Sequence, residues 1–365
     1  MSSSSSNSGG DGSGKNAIPQ TMKAVVLKEY NDDPAKALDV VEAFGAPGAP
    51  SGAQVLVRVH YASTNPIDYK IMPGSYRYLL PKALPRVPGF DVSGIVYAVG
   101  PRVTKVRVGQ RVMGDAGNFG QGALAQFCLF ASDDLLAIVP DSVPLVDAAG
   151  VPLAALTSLQ ALRDYGKVTR GSKVVVRGAS GGTGAFAVQL AVLLGAAEVV
   201  AISSNVALCR QLGATRVIDY KTEDYASALR GQQFDCFYDC VGGYDDWLAA
   251  KAILKPAGSF VTIVGDSPGA KLSAGMLIGD FFKNSGRKIM ALCGDPNYYS
   301  ALRTTGTGDL DKLAAWMGEG KLRTVLDDAS PFPFTREGVV ALFEKQMSSR
   351  AKGKLVMEIE PEPKK

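Results

Sequence analysis

The chain has 365 residues, 46% of them hydrophobic and 20% charged, with a net charge of +4. That length exceeds what one hydrophobic core serves and points to two domains. The small net charge argues against a nucleic-acid binder, and no apolar run is long enough to span a membrane.

In chain order, residues 1–21 are rich in Ser and Gly with a single Lys, and read as a disordered tail. They lack the apolar core of a signal peptide and the arginines of a mitochondrial presequence. Short strands between turn residues follow: Met22–Leu27, Gln54–Tyr61, Gly94–Gly100 and Gly109–Gly114. Residues 22–148 are therefore expected to form a mostly β, barrel-like domain. Val151–Leu162 reads as a helix leading into a second domain over 149–290.

That domain opens with an apolar run, Val174-Val175-Val176-Arg177, which breaks into Gly178-Ala179-Ser180-Gly181-Gly182-Thr183-Gly184 and resumes as Ala185-Phe186-Ala187-Val188. This is a strand, a tight turn and a helix start. Glycines let the backbone bend and approach a ligand closely, and the new helix offers unpaired N–H groups and a positive dipole end to a phosphate. The pattern carries Ala179 where a dinucleotide fingerprint usually begins with glycine. Its context supports it: Val199–Ile202, Arg216–Tyr220 and Phe234–Gly242 supply further strands separated by helical segments. Ser180, Gly181, Gly182, Thr183 and Gly184 are the expected phosphate contacts.

A dinucleotide site of this type normally ends its second strand in Asp or Glu, which binds the adenosine ribose hydroxyls. Here the tip is Ser203-Ser204-Asn205. Nothing there repels a ribose 2′-phosphate, so NADPH is expected over NADH, with Ser203, Ser204, Arg210 and Tyr220 as its pocket. The alternative is that the serines cap the next helix and Arg210 is solvated.

Past residue 290 the pattern becomes helix plus strand and closes on Gly353–Ile359, a strand expected to return to the first domain, so that 291–365 completes it. The apolar segment Lys288–Cys293 fits an edge strand. The cysteines, at 128, 209, 236, 240 and 293, are odd in number and scattered, which fits reduced thiols in a cytoplasmic setting. Cys236 and Cys240 lie in or beside an apolar strand and read as buried thiols rather than metal ligands.

Five segments in order resemble the medium-chain dehydrogenase/reductase superfamily, in its quinone oxidoreductase-like branch: Ala62-Ser63-Thr64-Asn65-Pro66-Ile67-Asp68, Pro88-Gly89-Phe90-Asp91-Val92-Ser93-Gly94, Gly122–Phe127, Gly178–Gly184 and Arg350–Lys354. The resemblance implies an α/β fold in which a GroES-like, mostly β catalytic domain packs on a Rossmann domain with a doubly wound parallel sheet, the active site lying between them. It also implies a homodimer paired through an edge strand.

Zinc enzymes of this superfamily hold a catalytic metal through Cys and His. Here Asn65 stands at the Cys position, Gly89-Phe90-Asp91 replaces Gly-His-Glu, and the only histidine is His60, on a strand. No metal site is expected. Without a Lewis acid, hydride delivery to an electron-poor carbon of a quinone or an α,β-unsaturated carbonyl remains. The resemblance places Asn65, Lys70 and the Tyr76 loop beside the nicotinamide: Asn65 to position the ribose or substrate, Lys70 as a cation and proton source, Tyr76 or Tyr78 lining the pocket unless these are surface aromatics. It places Thr157, Val241, Gly242, Val264, Gly265 and Lys354 along the cofactor; the plain alternative for Lys354 is a solvated charge. A 2-enoyl-thioester reductase is a neighbouring possibility, and an NADPH-binding protein acting through a partner or RNA is one of another class.

Overall fold

The parallel sheet grows from β-branched runs that are apolar on both faces, which suits strands covered by helices on both sides. Arg177, Gly178 and the residues after them end the first of these strands. The computed structural model describes residues 17–75, 84–117, 122–266, 287, 290–292 and 294–362.

The first region holds β1 (Thr21–Leu27), α1 (Pro34–Ala37), β2 (Leu38–Gly45), β3 (Val55–Thr64), α2 (Pro66–Ile71), β4 (Asp91–Val99), β5 (Arg111–Asp115), β6 (Phe127–Phe130) and β7 (Leu136–Ile138). Next come α3 (Leu145–Ala149) and α4 (Pro152–Gln160), the latter running into a wider π-helical turn at Ala161–Tyr165. The nucleotide-type region holds β8 (Lys173–Arg177), α5 (Gly182–Leu193), β9 (Glu198–Ile202), α6 (Val206–Gln211), β10 (Arg216–Ile218), α7 (Tyr225–Leu229), β11 (Phe234–Asp239), α8 (Tyr244–Ile253), β12 (Leu254–Thr262) and β13 (Asn297–Ser300). The chain closes with α9 (Asp309–Gly318), β14 (Phe332–Pro333), α10 (Arg336–Met347) and β15 (Leu355–Glu358).

Three sheets result. β1 and β2 pair antiparallel. A mixed sheet runs β14-β15-β3-β4-β5-β7, with β6 also on β3. A six-stranded parallel sheet runs β10-β9-β8-β11-β12-β13, the doubly wound order whose ligand crevice lies at the carboxyl ends of the strands. One apolar cluster joins Met113 and Ala137 of the mixed sheet through Leu156 and Leu159 of α4 to Val174 and Val176 of β8, so the two large sheets share a continuous core. Val175, Val200, Ile202, Phe237 and Phe260 pack on the opposite face of the parallel sheet, with Trp247 of α8.

The expected strand at Lys288–Cys293 is not formed: the described residues there, Arg287 and Met290 to Leu292, are helical, and the edge strand is β13. The apolar run misled because a short apolar segment fits a helix as well as a strand. No helix among the described residues is long and apolar enough to cross a membrane.

Candidate active site

The glycine turn owes its shape to two of its glycines. Gly178 takes φ 73°, the left-handed conformation that favours glycine, so the bend falls one residue before Ala179, which is buried. A Cβ on Gly184 would stand 2.2 Å from Gly178 O, so this glycine lets α5 close onto the turn. Gly181 is the N-cap of α5 and supplies no side-chain acceptor. The first N–H groups of this twelve-residue helix therefore face the crevice without a cap, an arrangement that suits a pyrophosphate. Ser180 and Ser203 meet there, the Ser203 hydroxyl donating to Ser180 Oγ at 2.7 Å.

The serines do not cap the next helix. Asn205 is the N-cap of α6, its Oδ1 accepting from Leu208 N at 3.3 Å. Ser204 is exposed, as is Arg210 in the last turn of α6. Tyr220 is also exposed, with the Arg177 guanidinium 5.8 Å from its ring centre.

Further along the crevice, Asp239 at the end of β11 organises two turns at once. Its Oδ1 accepts from Val241 N and Gly242 N, both at 2.9 Å, and its Oδ2 accepts from Thr262 Oγ1 at 2.8 Å. Thr262 Oγ1 in turn accepts from Val264 N at 3.1 Å and Gly265 N at 3.0 Å. Burial raises the pKa of Asp239, and these hydrogen bonds oppose the rise. Gly242, at φ 86°, approaches so closely that a Cβ would lie 2.6 Å from Val264 Cγ1.

The seam between the two large sheets holds a buried polar cluster. Lys354 is 3% exposed, and its Nζ donates to Asn65 Oδ1 at 2.6 Å, Thr64 O at 3.1 Å and Asp91 Oδ2 at 3.4 Å. Asp91 Oδ2 also accepts from Asn65 Nδ2 at 2.8 Å and Ser63 Oγ at 3.0 Å, while its Oδ1 accepts from Leu153 N at 2.9 Å. Burial raises the Asp91 pKa and lowers that of Lys354, and the charge of each on the other opposes both shifts. Asp115 pairs with Asp91 across β4 and β5 and takes Arg303 Nε at 2.6 Å. Asp68 Oδ2 accepts from Asn65 N at 2.8 Å, Oδ1 has no partner, and burial pushes this carboxyl up to about 7.

Lys354 is thus no solvated charge. Its stem also reaches the glycine turn: a Cβ on Gly182 would lie 3.0 Å from Lys354 Cδ, and Gly181 forms an isolated parallel bridge to Gly353. Of the expected site residues, the fold joins Asn65 to Lys354, Lys354 to the glycine turn and Ser180 to Ser203. Thr157 spends its hydroxyl on Leu153 O at 2.7 Å, within its own helix. Lys70, on α2, is half-buried, and its ammonium has neither an ion pair nor a hydrogen bond among the described residues; burial alone lowers its pKa. Tyr76 and Tyr78 lie outside the described residues.

Two family models match, one described as alcohol dehydrogenase GroES-like domain over residues 51–141 and one as zinc-binding dehydrogenase over 212–357. The chain is 32% identical to a trans-enoyl reductase, pgmF, of Aspergillus terreus, over 94% of this chain and 98% of that protein. The chain belongs to the medium-chain dehydrogenase/reductase superfamily. It is also 31% identical to the chloroplastic quinone-oxidoreductase QR1 of Triphysaria versicolor, over 92% and 98% of the two chains. A solved structure, the quinone oxidoreductase from Coxiella burnetii, superposes with a TM-score of 0.75 at 30% identity, covering 93% of this chain and 99% of that one. As in these superfamily members, the fold is a GroES-like domain with a Rossmann-like parallel sheet, and the chain is an oxidoreductase.

Among the described residues the superfamily's zinc chemistry finds no matching donor set. Asn65 gives its oxygen to Lys354, Phe90 is buried beneath the Arg303 guanidinium, and no group of three or more His, Cys, Asp or Glu among the described residues is placed to hold a metal. His60 is a strand residue whose Nδ1 faces Glu360 O and Pro361 O at 3.2 and 3.1 Å. Cys128, Cys209, Cys236 and Cys240 form no disulfide, and burial pushes the Cys128 and Cys236 thiols up to about 12. Asp91, Asp239 and Arg303 are the members sequence reading missed. Asp91 lay inside a quoted motif and Asp239 ends a strand just before glycines, so both had a local signal; Arg303 had none.

Proposed function

We propose that this chain is a zinc-independent, NADPH-dependent reductase that adds hydride to the conjugated carbon of a quinone or an α,β-unsaturated carbonyl. The observation that carries this reading is the Lys354–Asn65–Asp91 cluster, in which an ammonium, not a metal donor set, occupies the seam beside the nucleotide-type turn. A seam without metal ligands suits substrates whose own conjugation accepts the electron pair.

The turn from Ser180 to Gly184 and the α5 N-terminus would hold the pyrophosphate, and the Asp239-organised turns at Val241, Gly242, Val264 and Gly265 would bound the nicotinamide half. When bound, the cofactor supplies the hydride. Lys70 holds a proton at Nζ that no acceptor among the described residues competes for, so it can face the oxygen that gains charge and then give up that proton. Asn65 keeps a fixed amide orientation, since its oxygen and one N–H are both committed. The outer edge of β13 would pair two copies into a homodimer, and thiols free of disulfides suit a cytoplasmic setting.

The test is a steady-state screen of small quinones and enones with NADPH and NADH, before and after exhaustive chelation. Turnover that prefers NADPH and survives chelation supports the reading; loss of activity with metal removal refutes it. The similarity to a trans-enoyl reductase favours a second reading, reduction of a 2-enoyl thioester. Turnover of crotonyl thioester with none on a small quinone would select that one.

A further inference from the structure

Three adjacent parallel strands end side by side at the adenosine end of the crevice. Val175, Ile202 and Ile218 pack into one cluster on the same face of the sheet. Side chains two positions on along a strand return to the same face, so Arg177, the last residue of β8, follows Val175 on that face, while Ser204 and Tyr220 lie in the turns just past β9 and β10. The register sets Arg177 level with Ile202 and Ile218, two residues before Ser204 and Tyr220, and Ser203 N bonds Ile218 O at 3.0 Å, which holds the ends of β9 and β10 together.

The guanidinium in this row is prearranged and incompletely used. Arg177 Nε donates to the two carboxylate oxygens of Asp246 at 3.1 and 3.2 Å, which fixes one edge of the fork. The Tyr225 ring centre lies 4.8 Å from the guanidinium carbon and that of Tyr220 5.8 Å, so aromatic rings flank it. The side chain is 18% exposed, and among the described residues no acceptor takes the N–H groups of its two Nη atoms. A fork with one edge pinned and the other open matches a phosphate, which takes parallel N–H donors. Arg210 instead stands exposed in the last turn of α6, its side chain without a bonding partner among the described residues.

We propose that Arg177, and not Arg210, receives the 2′-phosphate of the cofactor's adenosine ribose, with Ser204 and Tyr220 beside it. This rests on the NADPH reading above and names the residue that enforces it. Asp246 aims the fork at the cost of some repulsion toward the phosphate, so the site discriminates by geometry as well as by charge.

The experiment is calorimetric titration of the full chain with NADPH, NADH, adenosine 2′,5′-bisphosphate and 5′-AMP. The proteins compared are the wild type, Arg177→Met, Arg177→Lys, Arg210→Met and Lys221→Met, the last at an exposed lysine next to Tyr220. Arg177→Met should weaken NADPH and the bisphosphate about 10- to 100-fold, as expected for loss of charge-assisted hydrogen bonds, and leave NADH and 5′-AMP little changed. Arg177→Lys should recover part of the loss. If the methionine variant does not fold, Arg177→Gln, which keeps a donor toward Asp246, serves in its place with the same expectation. Equal weakening of bisphosphate and 5′-AMP, no weakening, or a loss confined to Arg210→Met or Lys221→Met overturns the assignment. A wild type without NADPH preference would instead overturn the cofactor reading itself.

Discussion

Lys354 Nζ and Asn65 Oδ1 lie 2.6 Å apart, joining positions 289 residues apart in sequence inside a wholly buried seam. The bond fixes which way the Asn65 amide faces, because its Nδ2 must then turn to Asp91.

Lys354→Met removes the ammonium and leaves Asp91 buried beside only neutral donors. Stranding one partner of a buried pair costs about 3–5 kcal/mol, which urea unfolding at pH 7 should read. Adding Asp91→Asn should return part of that loss. Fully additive effects of the two changes would show that the pair is not coupled.

The two glycines of the turn should fail differently. Gly184→Ala drives a methyl to 2.2 Å from a backbone oxygen and should lower stability by about 1–3 kcal/mol together with cofactor binding. Gly181→Ala meets only Gly178 O at 3.4 Å, so its melting temperature should hold while its Cβ, at the mouth of the α5 N-terminus, weakens NADPH binding. Equal melting temperatures for the two variants would count against this account.

Lys70→Met should lower turnover with little change in melting temperature, since the ammonium makes no hydrogen bond or ion pair among the described residues that folding would lose. As burial holds its pKa below the ordinary 10.5, the alkaline fall of kcat should come below that pH and vanish in the variant. An unchanged alkaline limb in Lys70→Met would remove Lys70 from the proton path.

Asp68 gives a stability signature. Its folded-state pKa of about 7 lies above the ordinary 3.8, so the folded state holds the extra proton between those values. The associated stability is fully present below about pH 4 and is lost as pH rises through about 7. Asp68→Asn should therefore gain on the wild type as pH rises over that interval, measured by denaturant unfolding at a series of pH values. A constant difference across the range would rule this out.

The strand and helix pattern was legible because it is local. β8, the glycine turn and α5 announce themselves in one continuous stretch, Lys173 to Leu193, as does the replacement of the acid at the tip of β9. The polar clusters were not legible, for they are made by pairs far apart in the chain: Lys354 with Asp91, Arg303 with Asp115, Thr262 with Asp239. Arg177 carried a local signal, a cation closing an apolar strand, but its meaning depends on Asp246 and Tyr225, which only folding brings near. The helix cap went to Asn205 rather than to Ser203 or Ser204: the Ser203 hydroxyl donates to Ser180 and accepts from Asn205 N at 3.0 Å, one step short of the amides inside α6.

The bridge from Gly181 to Gly353 also bears on the order of assembly. The N-terminal strands and the glycine turn can each form from neighbours made early in synthesis, but the seam they share closes only when the segment before β15 docks between them. Contacts of such sequence separation form late and slowly. Recovery of cofactor affinity during refolding should accordingly lag the return of helical signal, making nucleotide binding a clock for the last step of folding.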